Sequence, residues 1–125
     1  MKKIAKQLIL LVLPASLIFT ACHKEGIGGR SSVSGGVFHH SKPIPNAIVY
    51  IKYGATDFPG TDITTYDNHT TADANAQYQF NDLRMGNYYL YGVGWDNSIS
   101  STVTGGVAVK LKYNKSYSTD VPVTE

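Results

Sequence analysis

The chain predicts an all-β protein, a Greek-key β-sandwich of seven strands. Two observations carry that reading. From residue 33 onward, apolar and polar side chains alternate with period two in short runs, and no stretch keeps a 3.6-residue period long enough for a helix. Between the runs stand turn-forming residues, among them Pro43, Pro45 and the segment 54–60.

The elements follow in order. Residues 33–38 form the first predicted strand. Residues 46–53 set Ala47, Val49 and Ile51 against Ile48, Tyr50 and Lys52, giving an apolar face and a mixed one. Further strands are expected at 63–72, 77–80 and 87–93. Residues 107–113 place Val107, Val109, Leu111 and Tyr113 on one side and Ala108, Lys110 and Lys112 on the other. A last strand is expected at 116–123.

What precedes residue 33 reads as address and tether. Lys2, Lys3 and Lys6 lead into an apolar stretch at 8–19, the layout of an export signal, and twelve such positions are too few for a membrane-spanning helix. Phe19-Thr20-Ala21-Cys22 resembles the lipobox of bacterial lipoproteins, with Phe19 where leucine is usual. That resemblance implies cleavage before Cys22, acylation of its sulfur and amine, and anchoring to the outer membrane on its periplasmic or its outer face. Cys22 is the chain's one cysteine and has no internal disulfide partner. Residues 22–32 are glycine-rich and polar and are expected to be a flexible tether, with the folded domain at 33–125.

Removing residues 1–21 leaves 104 of 125 residues, enough for one core and too few for a multidomain enzyme. It also removes three of eleven basic residues, so eight face nine acidic ones and the net charge becomes −1 (8 − 9). Nucleic acid is not an expected partner, because phosphate contacts need a basic surface.

A family resemblance rests on residues that recur in order. These are Gly36-Val37, Pro43-Ile44-Pro45-Asn46-Ala47 leading into Val49-Tyr50-Ile51, Thr70-Thr71-Ala72-Asp73-Ala74-Asn75 before Tyr78-Gln79-Phe80, and Leu83 with Gly86 and Tyr88. The series resembles the carboxypeptidase regulatory-like domain, a prealbumin-like (transthyretin-like) sandwich also found in surface proteins and outer-membrane receptors of Bacteroidetes. Ala76 stands where that family usually has glycine, which implies a different or strained turn after Asp73. Leu83-x-x-Gly86-x-Tyr88 is similar to a tyrosine corner, which gives these three residues a structural role.

No catalytic constellation accompanies the fold, and an enzyme is not expected. The chain ends Val121-Pro122-Val123-Thr124-Glu125, without the Tyr-Arg-Gly-Ser ending of transthyretin-like hydroxyisourate hydrolases. His23, His39, His40 and His69 include no His-x-His pair of the intradiol dioxygenase kind. His39 and His40 are adjacent, so in an extended segment they point to opposite sides and do not easily share a metal. No cofactor is expected.

Two groups remain as candidate binding residues. Asp57, Asp62, Asp67 and Asp73, with Asn68, offer hard oxygen ligands for Ca²⁺ where loops converge, although Asx residues also favour turns for backbone reasons alone. Tyr89, Tyr91 and Trp95 share one side of their strand, and Tyr50 is available on another. Such rings either pack across strands or present a ligand-binding face. Three roles follow. The sandwich is a non-enzymatic accessory or interaction module with an envelope partner, a carbohydrate-binding protein using the aromatic face, or an adhesin or structural subunit pairing through an edge strand such as 116–123.

Overall fold

The computed structural model describes residues 24–125. Cys22 and the export signal lie outside them. Two sheets pack face to face as an all-β sandwich. One contains β1 (Ile27–His39), β2 (Lys42–Pro43), β5 (Gln77–Leu83), β8 (Ser116–Ser118) and β9 (Val121–Val123). The other has the order β4 (Asn68–Thr71), β3 (Ile48–Tyr53), β6 (Gly86–Asp96), β7 (Ser101–Leu111).

Alternation on these strands builds the core. Val49 and Ile51 of β3, Tyr88 and Leu90 of β6, and Val103 and Leu111 of β7 turn inward against Val33 and Val37 of β1, Leu83 of β5 and Val121 of β9. Tyr113 departs from its predicted side: β7 ends at Leu111, and the tyrosine beyond it is 61% exposed.

β1 is thirteen residues long and organises the first sheet. It pairs antiparallel with β5, and on its opposite edge runs parallel to β8 and β9. The last two share one register along that edge, Ser32 opposite Ser116 and Val37 opposite Val121, with a break at Thr119–Asp120. The predicted strand 116–123 is therefore two strands. Thr124 then exchanges two 2.8 Å backbone hydrogen bonds with Thr104 of β7. This joins the sheets and closes part of the edge that strand addition would use.

Among the described residues the count is nine strands rather than seven, and two boundaries differ for physical reasons. The tether expected over 22–32 is strand from Ile27 onward. Its glycines permit close approach rather than flexibility: a Cβ on Gly29 would lie 2.2 Å from the Leu83 carbonyl oxygen. Before the strand, the Gly26 amide donates to the Tyr88 hydroxyl at 2.8 Å, and Glu25 Oε2 accepts from the Asn87 amide at 3.0 Å. The predicted strand 63–72 instead begins with a 3₁₀ turn at Ile63–Thr65, whose Thr64 amide donates to Asp62 Oδ1 at 3.0 Å, and only Asn68–Thr71 is strand.

The segment 83–88 anchors this start. Tyr88 is fully buried and donates to the Arg84 carbonyl at 2.6 Å, the backward bond that defines a tyrosine corner. Gly86 has φ 138, and a Cβ there would meet the Glu25 side chain at 2.4 Å. In the β4–β5 turn, Ala76 adopts φ 62 and is fully buried. Asp73 Oδ1 holds that turn by accepting from the amides of Asn75 and Gln77 at 2.8 and 2.9 Å.

Candidate functional site

The outer face of the β4-β3-β6-β7 sheet carries the aromatic residues, because Tyr89, Tyr91, Val93 and Trp95 alternate with the inward Tyr88, Leu90, Gly92 and Gly94. Register sets Tyr50 of β3 opposite Tyr91 and, on its other side, opposite His69 of β4. The rings do not form one open row. The β3–β4 connection, residues 54–67, folds back over them and brings Phe58 and Tyr66 with it. Tyr66 stacks on Tyr91 with centroids 5.5 Å apart and an interplanar angle of 17°, and Phe58 lies 5.4 Å from Tyr91 on another side. Tyr91 is left 3% exposed.

This layer is a second, small aromatic core. Tyr50 touches Tyr66, His69 and Tyr91, and Phe58 covers Tyr89 as well. Burial pushes the Tyr66 phenol up to about 12, with nearby Tyr91 and Tyr89 adding to the shift. Burial likewise raises Tyr89. Of the four residues expected to form a ligand face, Tyr91 is thus covered, Tyr50 and Tyr89 are half-buried, and Trp95 alone stands well exposed, at 52%.

Trp95 sits apart, at the far end of β6. It lines a cleft of about 270 Å³ with Lys42, Pro43, Ile44, Pro45, Asn97 and Ser98. The two prolines stiffen one wall, since each fixes its own φ and carries no amide hydrogen. Asn97, Ser98 and Lys42 supply donors and acceptors beside a flat ring, a combination that holds ligands having both apolar faces and hydroxyl edges.

The four aspartates do not converge. Asp62 caps the 3₁₀ turn, Asp67 Oδ2 accepts from the Tyr53 amide at 2.7 Å and lies 3.5 Å from Lys52 Nζ, and Asp73 holds its own turn. Asn68 Oδ1 accepts from the His69 amide at 2.8 Å, and Asp57 is exposed. Each of these bonded groups supports its own loop instead of turning toward a shared ion.

A polar cluster that residue spacing does not reveal lies where the β1–β2 turn meets the ends of β6 and the chain. His39 and Asp96 are 6% and 2% exposed, and His39 Nδ1 lies 2.8 Å from Asp96 Oδ2. A carboxylate only accepts, so Nδ1 carries the proton. Asp96 Oδ1 accepts from Lys42 Nζ at 3.2 Å and from the Ser98 amide and hydroxyl at 2.9 and 2.7 Å. These bonds, led by the one from His39, hold the Asp96 carboxyl well below the ordinary range. The Asp96 bond in turn raises His39, against its burial and with help from Glu125.

His39 and His40 do not point apart. His40 takes φ 57 at the turn, leaving the extended conformation that would have separated the rings, and their centroids are 4.5 Å apart. No local signal predicts the Asp96 contact, which spans 57 positions.

Comparison with known proteins informs the fold. No family model matches the chain, and no curated protein matches it. Among solved structures, it is similar to the 2.61 Å crystal structure of a "putative carbohydrate binding protein" from Pseudomonas aeruginosa. The TM-score is 0.54 at 14% identity, over 78% of this chain and 90% of that one. Similarity at that level shows a shared β-sandwich.

Proposed function

We propose that the chain is a non-enzymatic binding module of the cell envelope, of the carboxypeptidase regulatory-like kind and lipid-anchored through Cys22, which binds carbohydrate at the Trp95 cleft. The observation that carries this reading is a half-exposed tryptophan beside Lys42, Asn97 and Ser98 in a proline-walled cleft. Sugar rings present axial C–H groups to an indole face and hydroxyls to flanking amides, hydroxyls and ammonium groups, which is the pairing this cleft offers. The description of the Pseudomonas aeruginosa neighbour is in keeping with it. Tyr91 and Tyr50 belong to the covered layer and are assigned packing, so the ligand surface is smaller than a face spanning four rings.

The test is a glycan array followed by calorimetric titration of the full chain. Trp95→Ala is expected to abolish binding with an unchanged melting temperature, and Tyr89→Ala to leave affinity within about twofold. Wild-type protein that binds no glycan, or a Trp95→Ala variant that binds as wild type, overturns the reading. An envelope-protein partner is then sought by pull-down from outer membranes.

A further inference from the structure

We propose that His39, His40 and Glu125 bind one divalent transition-metal ion of the zinc class. One ligand atom from each of these residues lies within 4.8 Å of the others, close enough to converge on one ion after small side-chain adjustments. Among the described residues, this is the group of histidine, cysteine and acidic side chains that comes together in this way.

The second observation is a buried nitrogen without a hydrogen bond. His39 is 6% exposed, and its Nε2 has no hydrogen-bond partner, although it points to the side where Glu125 Oε2 lies 2.5 Å away off the hydrogen-bonding axis. An unmet polar atom at such depth is costly unless something occupies it. A neutral imidazole that donates through Nδ1 carries its lone pair on Nε2, and a cation bound along that lone pair takes the neighbouring Glu125 carboxylate as a second ligand once the exposed glutamate shifts outward.

The surroundings are those of an outer shell. Metal-binding histidines usually donate their second ring N–H to a carboxylate or carbonyl, which fixes the tautomer and raises basicity, and Asp96 provides this to His39. The charge of Asp96 is met separately by Lys42 and Ser98 on its other oxygen. Two imidazoles and one carboxylate favour Zn²⁺ and its first-row neighbours over Ca²⁺ or Mg²⁺, which prefer all-oxygen shells. Three protein ligands leave a fourth position for water or a ligand atom. A cleft of about 300 Å³ opens beside His39 and His40, lined also by Ser41, Lys42 and Ser98. Lys42 and Ser98 border both clefts, but His39, His40 and Glu125 do not line the Trp95 cleft and Trp95 is not a metal ligand, so either assignment survives failure of the other.

The experiment titrates chelator-stripped full chain with Zn²⁺ by calorimetry and with Co²⁺ by visible absorption. One equivalent of Zn²⁺ is expected, along with the intense absorption of low-coordinate Co²⁺ and a melting temperature that rises with Zn²⁺. His39→Ala leaves Asp96 without its partner and risks the fold, so the exposed ligands carry the test. His40→Ala and Glu125→Gln are each expected to weaken Zn²⁺ by more than the roughly 10- to 100-fold that loss of an outer-shell partner costs. His69→Ala and His23→Ala are expected to leave binding unchanged. Wild-type protein that takes up no Zn²⁺, or a His40→Ala, Glu125→Gln double variant that still binds as wild type, overturns the proposal and leaves His39 as an imidazolium paired with two carboxylates.

Discussion

The outer aromatic layer and the polar corner at the end of β6 lie on the same strand and were built by opposite means. Around Tyr91, rings that alternation turns outward are reclaimed by a loop, so residues that look like a ligand face become packing. Around Asp96, an aspartate on the inward side of β6 stays charged and buried, held by His39, Lys42 and Ser98. An outward aromatic run can thus be core, and an inward acid can belong to a site. Strand parity states which side a residue is on and leaves open what lies over that side.

The largest expected break in this contrast is Tyr91→Ala. It removes the ring on which Tyr66, Phe58 and Tyr50 converge, and a loss of about 3–5 kcal/mol is expected from urea denaturation, as for other large buried aromatics. Trp95→Ala on the same face is expected to stay within about 0.5 kcal/mol of wild type, because the ring is exposed. Equal losses at the two positions would erase the distinction between covered layer and open platform.

In the polar corner, Asp96→Ala strips the acceptor from His39 and Lys42 and is expected to lower the urea midpoint by less than Tyr91→Ala does, since Lys42 returns to solvent easily. A midpoint unchanged from wild type would mean that the cluster contributes no stability.

The smallest effect is alkaline. The folded state holds the Tyr66 proton more tightly than the unfolded chain, so this contribution to stability is complete below about pH 10 and is lost as pH rises through about 12. The groups facing Tyr66 in that layer are Tyr50, Tyr89 and Tyr91. Tyrosinate absorbance is expected to include a late-titrating class that a Tyr66→Phe variant reduces by one tyrosine, with the more deeply buried Tyr78 remaining in it, and an undiminished class there would remove Tyr66 from it.

Much of the sandwich was legible because its signals are local. Val49 and Ile51 alternate with polar neighbours within a few residues, and Leu83, Gly86 and Tyr88 lie within six positions of one another. The misreadings share one cause. Gly28 and Gly29 look like linker until Arg84 and Leu83 lie against them, and 63–67 looks like strand until its loop is needed over Tyr91. His39 and His40 look divergent until the turn gives His40 a left-handed backbone.

The sequence by itself determined the all-β class and the inward faces of β3 and β6. Each follows from side-chain chemistry and a two-residue period that the backbone imposes on any strand. The tertiary structure decided which aromatics are covered, where the first strand begins, and that His39, Asp96 and Glu125 meet across separations of 57 and 86 positions. Those outcomes depend on the paths of loops and chain ends, which are set by contacts between segments that no local pattern connects.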